Sequence, residues 1–253
     1  VGWRQNHQSF EAARVTWDVV ENFAVSYAYI GRTRTVTGAS RPMTTHHADL
    51  GYNFGSAGTF KGYYLQIDFD DQPLWGLSTR TMGAFLSGTI VFSDSQQLMY
   101  RFEYAKQEDN GNNPNPVDVS YQLLDLGYQM GKVTLAGAYE VLEGSGDSGA
   151  FTTPLATLHK FNGWADKFLE TPGDGLVDMY VSLSAKLGNW NLMGVYHDFT
   201  ADSGGASWGT EFDAQILYTA KWKQKFALKA AKYEADQWAT DTTKIWLWTS
   251  WGF

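Results

Sequence analysis

Alternation with a period of two is the feature that most limits what this chain can fold into. Tyr100, Phe102 and Tyr104 alternate with Arg101, Glu103 and Ala105. Val177, Met179, Val181 and Leu183 alternate with Asp178, Tyr180, Ser182 and Ser184. Phe212, Ala214, Ile216 and Tyr218 do the same with Glu211, Asp213 and Gln215. On an extended strand this spacing makes one face apolar and the other polar, and it fits a helix poorly. About thirteen such segments follow one another, each of roughly 10–15 residues, a length that suits tilted membrane strands.

No apolar run approaches the ~18 residues of a spanning helix. The mean hydropathy of −0.33 would by itself read as soluble. A membrane barrel gives the same average, because only alternate residues meet lipid. The 11 Trp, 14 Tyr and 15 Phe among 253 residues favour strands and the membrane–water interface. The absence of cysteine excludes a disulfide scaffold and a thiolate metal site. A net charge of −8 argues against nucleic acid as a partner.

The connections carry a second pattern. Short ones fall near Val20–Asn22, Gly55–Gly58, Ser93–Ser95, Met130–Lys132, Gly188–Asn189 and Trp222–Gln224. Long ones fall at Thr35–Thr45, Asp71–Gly76, Glu108–Val117, Gly144–Gly173, Asp202–Ser207 and Asp236–Ala239. Short turns on one rim and long loops on the other are expected of an outer-membrane barrel. The last segment, Lys244 to Phe253, is amphipathic and ends on an aromatic, which reads as the closing strand with its end in the periplasm. The fold class expected is therefore all-β: an antiparallel transmembrane β-barrel, one domain over 1–253, in a bacterial outer membrane. Thirteen strands is odd, whereas single-chain bacterial barrels have even numbers. The expectation is a mature or truncated chain whose barrel has further amino-terminal strands.

Polar faces point into the lumen of such a barrel. That rule nominates Arg14, Arg32, Arg101, Lys186, Lys229 and Lys244, with Asp18, Asp49, Asp68, Glu103, Asp125, Glu140, Asp178 and Asp213. They form either a salt-bridged ladder that stiffens the interior or a charged path for a polar solute. Trp246 and Trp248 also alternate inward, to stack on a solute or, after a register slip, to join the interfacial girdle. His46 and His47 lie before a strand, and as strand neighbours they would face opposite sides, so they make a poor metal pair. His197 and Asp198 fail as a pair for the same reason. No motif sets a nucleophile beside a base. No enzyme, metal site or cofactor is expected.

The segment Phe151-Thr-Thr-Pro-Leu-Ala-Thr-Leu-His-Lys-Phe-Asn-Gly-Trp-Ala-Asp-Lys-Phe168 is the most distinctive in the chain. Together with Gly175–Tyr180, Val195–Phe199, Ala239–Trp246 and the opening Val1–Phe10, it resembles the alginate-export family of outer-membrane porins. The likeness covers essentially the whole chain and is strongest in its second half. It implies a larger barrel that moves anionic or other polar organic solutes. The lumen candidates are mixed in sign, however, whereas a polyuronate conduit needs a basic wall. The expectation is thus a porin for polar or anionic small solutes, set among lipid and lipopolysaccharide, with any barrel–barrel or periplasmic partner unspecified. The alternative is a structural or partner-holding barrel without free conduction. Phe151, His159, Phe161, Trp164 and Phe168 mark a candidate constriction, since the loop is too apolar to be freely solvated. It would fold into the mouth or pack on neighbouring loops.

Overall fold

The computed structural model describes residues 7–146, 149–156, 159 and 161–251. Phe253, the expected terminal aromatic, lies outside the described residues, as do 1–6 of the amino-terminal resemblance and 157, 158 and 160 of the long loop. Thirteen strands form one sheet in simple sequence order. They are β1 (Ser9–Val20), β2 (Phe23–Arg34), β3 (Ser40–Asn53), β4 (Thr59–Phe69), β5 (Thr79–Ser93), β6 (Gln96–Asp109) and β7 (Asp118–Met130). β8 (Val133–Leu142), β9 (Leu176–Leu187), β10 (Trp190–Thr200), β11 (Ser207–Thr219), β12 (Lys225–Ala235) and β13 (Thr242–Ser250) complete it. Every neighbouring pair is antiparallel, and β1 and β13 form the two edges, unpaired with one another among the described residues.

The alternation becomes two distinct faces. On one, Leu135, Leu183, Phe212, Ile245 and Leu247 stand exposed, Leu247 at 81%. That exposure suits a lipid-facing wall and would be costly in water. At the short-turn rim this outer face carries Trp17, Tyr52, Phe54, Phe92, Tyr128, Trp190 and Trp222, the aromatic belt of a membrane interface. The tight turns there use glycine where the backbone requires it. Gly131 and Gly188 open two-residue turns at φ 60° and 60°, the left-handed first position of a type II′ hairpin.

Part of the inner face is covered by described residues of the chain's own long loop, which joins β8 to β9. Leu155 of the loop packs against Met43, Ile67 and Phe69 of β3 and β4. Phe151, Trp164, Ala165 and Phe168 pack with Val119, Phe199 and Tyr233 from β7, β10 and β12. One segment touches strands near both ends of the sheet, so the sheet curls around it.

One connection differs from the sequence reading. Thr35–Thr45 was expected as a long loop, but β3 begins at Ser40 and the turn is only 35–39. Pro42 suggests a break, yet it lies opposite Arg32, beside a bulge between Ile30 and Arg32 where the ladder is already interrupted.

Candidate functional site

The inward wall divides into two regions. The first runs over β1 to β6, where cations lie over carboxylates. Asp49 on β3 accepts a hydrogen bond from Ser26, which in turn accepts one from Arg14 at 3.0 Å. Arg14 and Lys61 approach the same carboxylate at 3.7 and 3.1 Å, and His47 Nδ1 lies 3.8 Å away. Side-chain exposure is 9% for Asp49 but 58% for Arg14 and 34% for Lys61. The pattern repeats on β6. Arg101 donates to Glu103 at 2.5 Å and lies 4.0 Å above the Phe85 ring, and Tyr63 donates to Glu103 at 2.8 Å. Arg101 is 39% exposed and Glu103 10%. Asp125 is the direct cross-strand neighbour of Arg101. In this region Arg14, Lys61 and Arg101 are more exposed than the carboxylates they cover, and Asp18 of β1 is the exposed acid beside them.

The second region runs over β8 to β13, where acids are covered by the loop. Glu140 accepts from Tyr121 at 2.6 Å and from the Asn162 side chain at 2.8 Å. Asp178 is fully buried and pairs with His197 Nδ1 at 2.8 Å. Asp213 and Glu211 accept the backbone N–H groups of Trp164 and Ala165 at 3.1 and 2.6 Å. His159 bridges Asp166 at 2.5 Å and Lys229 at 2.8 Å, and Lys244 donates to Asp166 at 2.7 Å. Lys229 lies 3.8 Å over the Trp164 ring and 5.2 Å from that of Trp246. Burial works against ionisation of Asp166, but the hydrogen bonds from His159 and Lys244 outweigh it and hold this loop carboxyl below its ordinary range.

Register places Arg14, Asp18, Asp49, Arg101, Glu103, Asp125, Glu140, Asp178, Lys186, Asp213, Lys229 and Lys244 on the inner face. Trp246 and Trp248 share it, so the girdle alternative for them fails. His46 and His47 do face opposite sides, but within β3 and not before a strand: His46 meets Tyr27 outside, and His47 lies by Asp49. Of the loop candidates, Phe151, His159, Trp164 and Phe168 are buried and Phe161 is 48% exposed.

Two nominated lumen residues are on the other face. The bulge at Gly31 reverses the phase of β2, so Arg32 points outward to Glu11 at 3.2 Å and Ser40 at 2.8 Å. Asp68 lies on the outer face with Tyr64 and Gln66, because β4 turns Ile67 and Phe69 inward. The rule that polar residues face the lumen inverts where the loop supplies an apolar partner inside.

Sequence reasoning missed Lys61, His47 and Glu211 as members of these clusters. Their alternation was available, since Lys61 shares the face of Tyr63 and Glu211 that of Asp213. Among the described residues no group of three or more His, Cys, Asp or Glu is arranged to hold a metal.

An antiparallel sheet with an apolar outer band, a charged inner wall and a loop folded inside it has the fold of an outer-membrane porin. No family model matches the chain, and no curated protein matches its sequence. Solved structures do. Pseudomonas aeruginosa OpdL superposes with a TM-score of 0.73 at 16% identity, over 96% of this chain and 72% of that one. OpdQ of the same organism gives 0.77 at 14%, over 98% and 73%. OpdK, in a structure with vanillate, gives 0.74 at 12%, over 96% and 70%. These are outer-membrane porins of the OprD/Occ type, a different family from the alginate-export porins. The alginate-export resemblance is therefore not supported, while the coarser reading, an outer-membrane porin fold, stands.

Proposed function

We propose that this chain forms the wall of an outer-membrane channel for small polar or anionic organic solutes. It belongs, on this reading, with OprD/Occ-type barrels and not with alginate exporters. The observation that carries it is the burial order in the first region. Arg14, Lys61 and Arg101 present charge to the open interior while Asp49 and Glu103 lie beneath them. The acids of the second region are capped by the loop, which removes Asp178, Glu211 and Asp213 from the accessible wall and shifts its balance toward the cations. A cationic wall raises the local concentration of anions and lowers their entry barrier. The matched structure of OpdK with vanillate supports the same reading.

On this reading the loop from Phe151 to Phe168 is the constriction, and 1–253 is one barrel domain. The long-loop rim faces outside and the short-turn rim the periplasm. The edges β1 and β13 must be paired in lipid, where bare backbone groups are not tolerated, so a conducting barrel requires its wall closed between them. The test is the reversal potential of the reconstituted barrel in a planar bilayer under a salt gradient. Wild type is expected to favour the anion, and Arg101→Gln to lose most of that preference. A barrel that conducts without ion preference, or that never conducts, would sink the proposal. The latter result would favour the partner-holding alternative.

A further inference from the structure

Two carboxyl groups have an unmet requirement. Glu211 and Asp213 are successive inward residues of β11, 1% and 0% exposed. Each accepts one loop amide: Asp213 Oδ2 that of Trp164 at 3.1 Å, Glu211 Oε1 that of Ala165 at 2.6 Å. The other oxygen of each, Asp213 Oδ1 and Glu211 Oε2, is buried and has no donor among the described residues. The two carboxyls sit side by side, on successive inward positions of one strand and each against one of two adjacent loop amides. Two ionised carboxylates held side by side repel, and two undonated buried oxygens add a desolvation cost. One proton between them removes both problems, since a protonated carboxyl donates where a carboxylate only accepts.

The loop is shaped to this pair. Asn162 and Gly163 hold φ of 54° and 83°, so the following amides turn toward one side, as in an anion-binding nest. A Cβ on Gly163 would lie 2.5 Å from Glu211 Oε2, and its φ of 83° strains any other residue there. Other charged groups surround the pair on all sides. Asp178 comes from β9, and His197 of β10 lies with Nε2 3.8 Å from Asp213. Lys229 and Tyr233 come from β12, with Tyr233 opposite Glu211 in register. From the loop come His159 and Asp166, and behind them Lys244 of β13; Glu140 of β8 lies across Asn162. Among the described residues, with every carboxyl ionised, Glu140, Asp166, Asp178, Glu211 and Asp213 would outnumber the permanent cations Lys229, Lys244 and Lys167, whose Nζ lies 5.8 Å from the Tyr233 ring. The enclosed cluster therefore favours retaining a proton.

We propose that Glu211 and Asp213 share one proton, and that this proton latches the loop segment 162–166 into the lumen, so that its loss in alkali releases the loop. The proposal rests on the loop being the constriction in the reading above, but it can be tested without conductance. Amide hydrogen exchange of the full chain in lipid would be followed between about pH 6 and about pH 10, corrected for intrinsic base catalysis. Protection of the Trp164 and Ala165 amides is expected to fall at least about tenfold as pH rises, the effect of one pKa unit of differential interaction. Amides of the β5–β6 ladder serve as the control.

Glu211→Gln and Asp213→Asn each replace the shared proton with a permanent amide donor, so both are expected to hold protection constant across that range. Wild-type protection that does not change with pH would overturn the proposal, and this arm needs no variant to fold. Equal pH dependence in wild type and in either variant would overturn it too. A non-conducting barrel with the expected exchange profile would sink the channel reading and leave the latch. A conducting one with a flat profile would do the reverse.

Discussion

The β1–β6 wall and the β8–β13 wall contain the same kinds of residue and use them in opposite ways. In the first, Asp49 and Glu103 lie beneath Arg14, Lys61 and Arg101, and the cations meet the open interior. In the second, Asp178, Glu211 and Asp213 are equally inward, but a folded loop covers them. Carboxylates are tolerated in both because each finds donors: guanidinium, ammonium and hydroxyl groups in one, backbone and Asn amides in the other. The difference lies in who supplies the donors. Side-chain donors leave a charged surface open to solute, whereas main-chain donors bring a whole loop with them and close the space.

The largest test of this contrast is removal of the loop's anchor. The Phe168 ring lies 4.5 Å from that of Phe199, tilted by 43°, and 6.0 Å from that of Tyr233. Phe168→Ala is expected to cost about 3–5 kcal/mol of loop docking, the usual range for a buried ring. It should show as faster amide exchange at residues 161–170 and a larger single-channel conductance. Unchanged exchange and conductance would mean the second wall is closed by something else. Loss of ion preference in Arg101→Gln comes next, because it acts on the first wall alone.

A smaller effect is expected at Asp166. Its carboxyl titrates below the ordinary range in the folded protein, so its contribution is complete above the unfolded value, about pH 4. That contribution is lost as pH falls through the lower folded value. Because Lys244 is 35% exposed, solvent screening limits the effect to about 1 kcal/mol or less. Asp166→Asn should abolish the acid-induced rise in loop exchange without touching the alkaline one.

Arg32→Gln should do least. Its guanidinium lies on the outer face, 38% exposed, and shares Glu11 with Arg34. Ion preference should match wild type, with stability changed by no more than about 0.5 kcal/mol. A loss of anion preference like that of Arg101→Gln would show that Arg32 reaches the interior after all.

Arg32 and Asp68 also mark where sequence reasoning stopped. Within an unbroken strand, alternation transmits face assignment from residue to residue, so one correct position determines the rest. That is why Arg101, Glu103, Glu140, Asp178, Lys229 and Lys244 could be placed from their neighbours alone. A bulge adds one residue and inverts everything beyond it, and Gly31 carries no pattern that distinguishes it from other strand glycines. Asp68 was misplaced for a different reason. Ile67 and Phe69 looked lipid-facing, but their apolar partner is Leu155, far away in the chain.

The chain's sequence determined by itself the strands, their antiparallel order, the two faces and the two rims. Each follows from contacts between near neighbours: side chains that alternate across a pleat, and turns that join adjacent strands. Only the tertiary structure decided which charges are accessible. Lys229 and Arg101 are both basic residues on inward faces, yet one is sealed beneath Trp164 and the other remains 39% exposed. That outcome depends on where the loop between β8 and β9 comes to rest. It rests on strands from β3 to β13, through contacts no local pattern encodes.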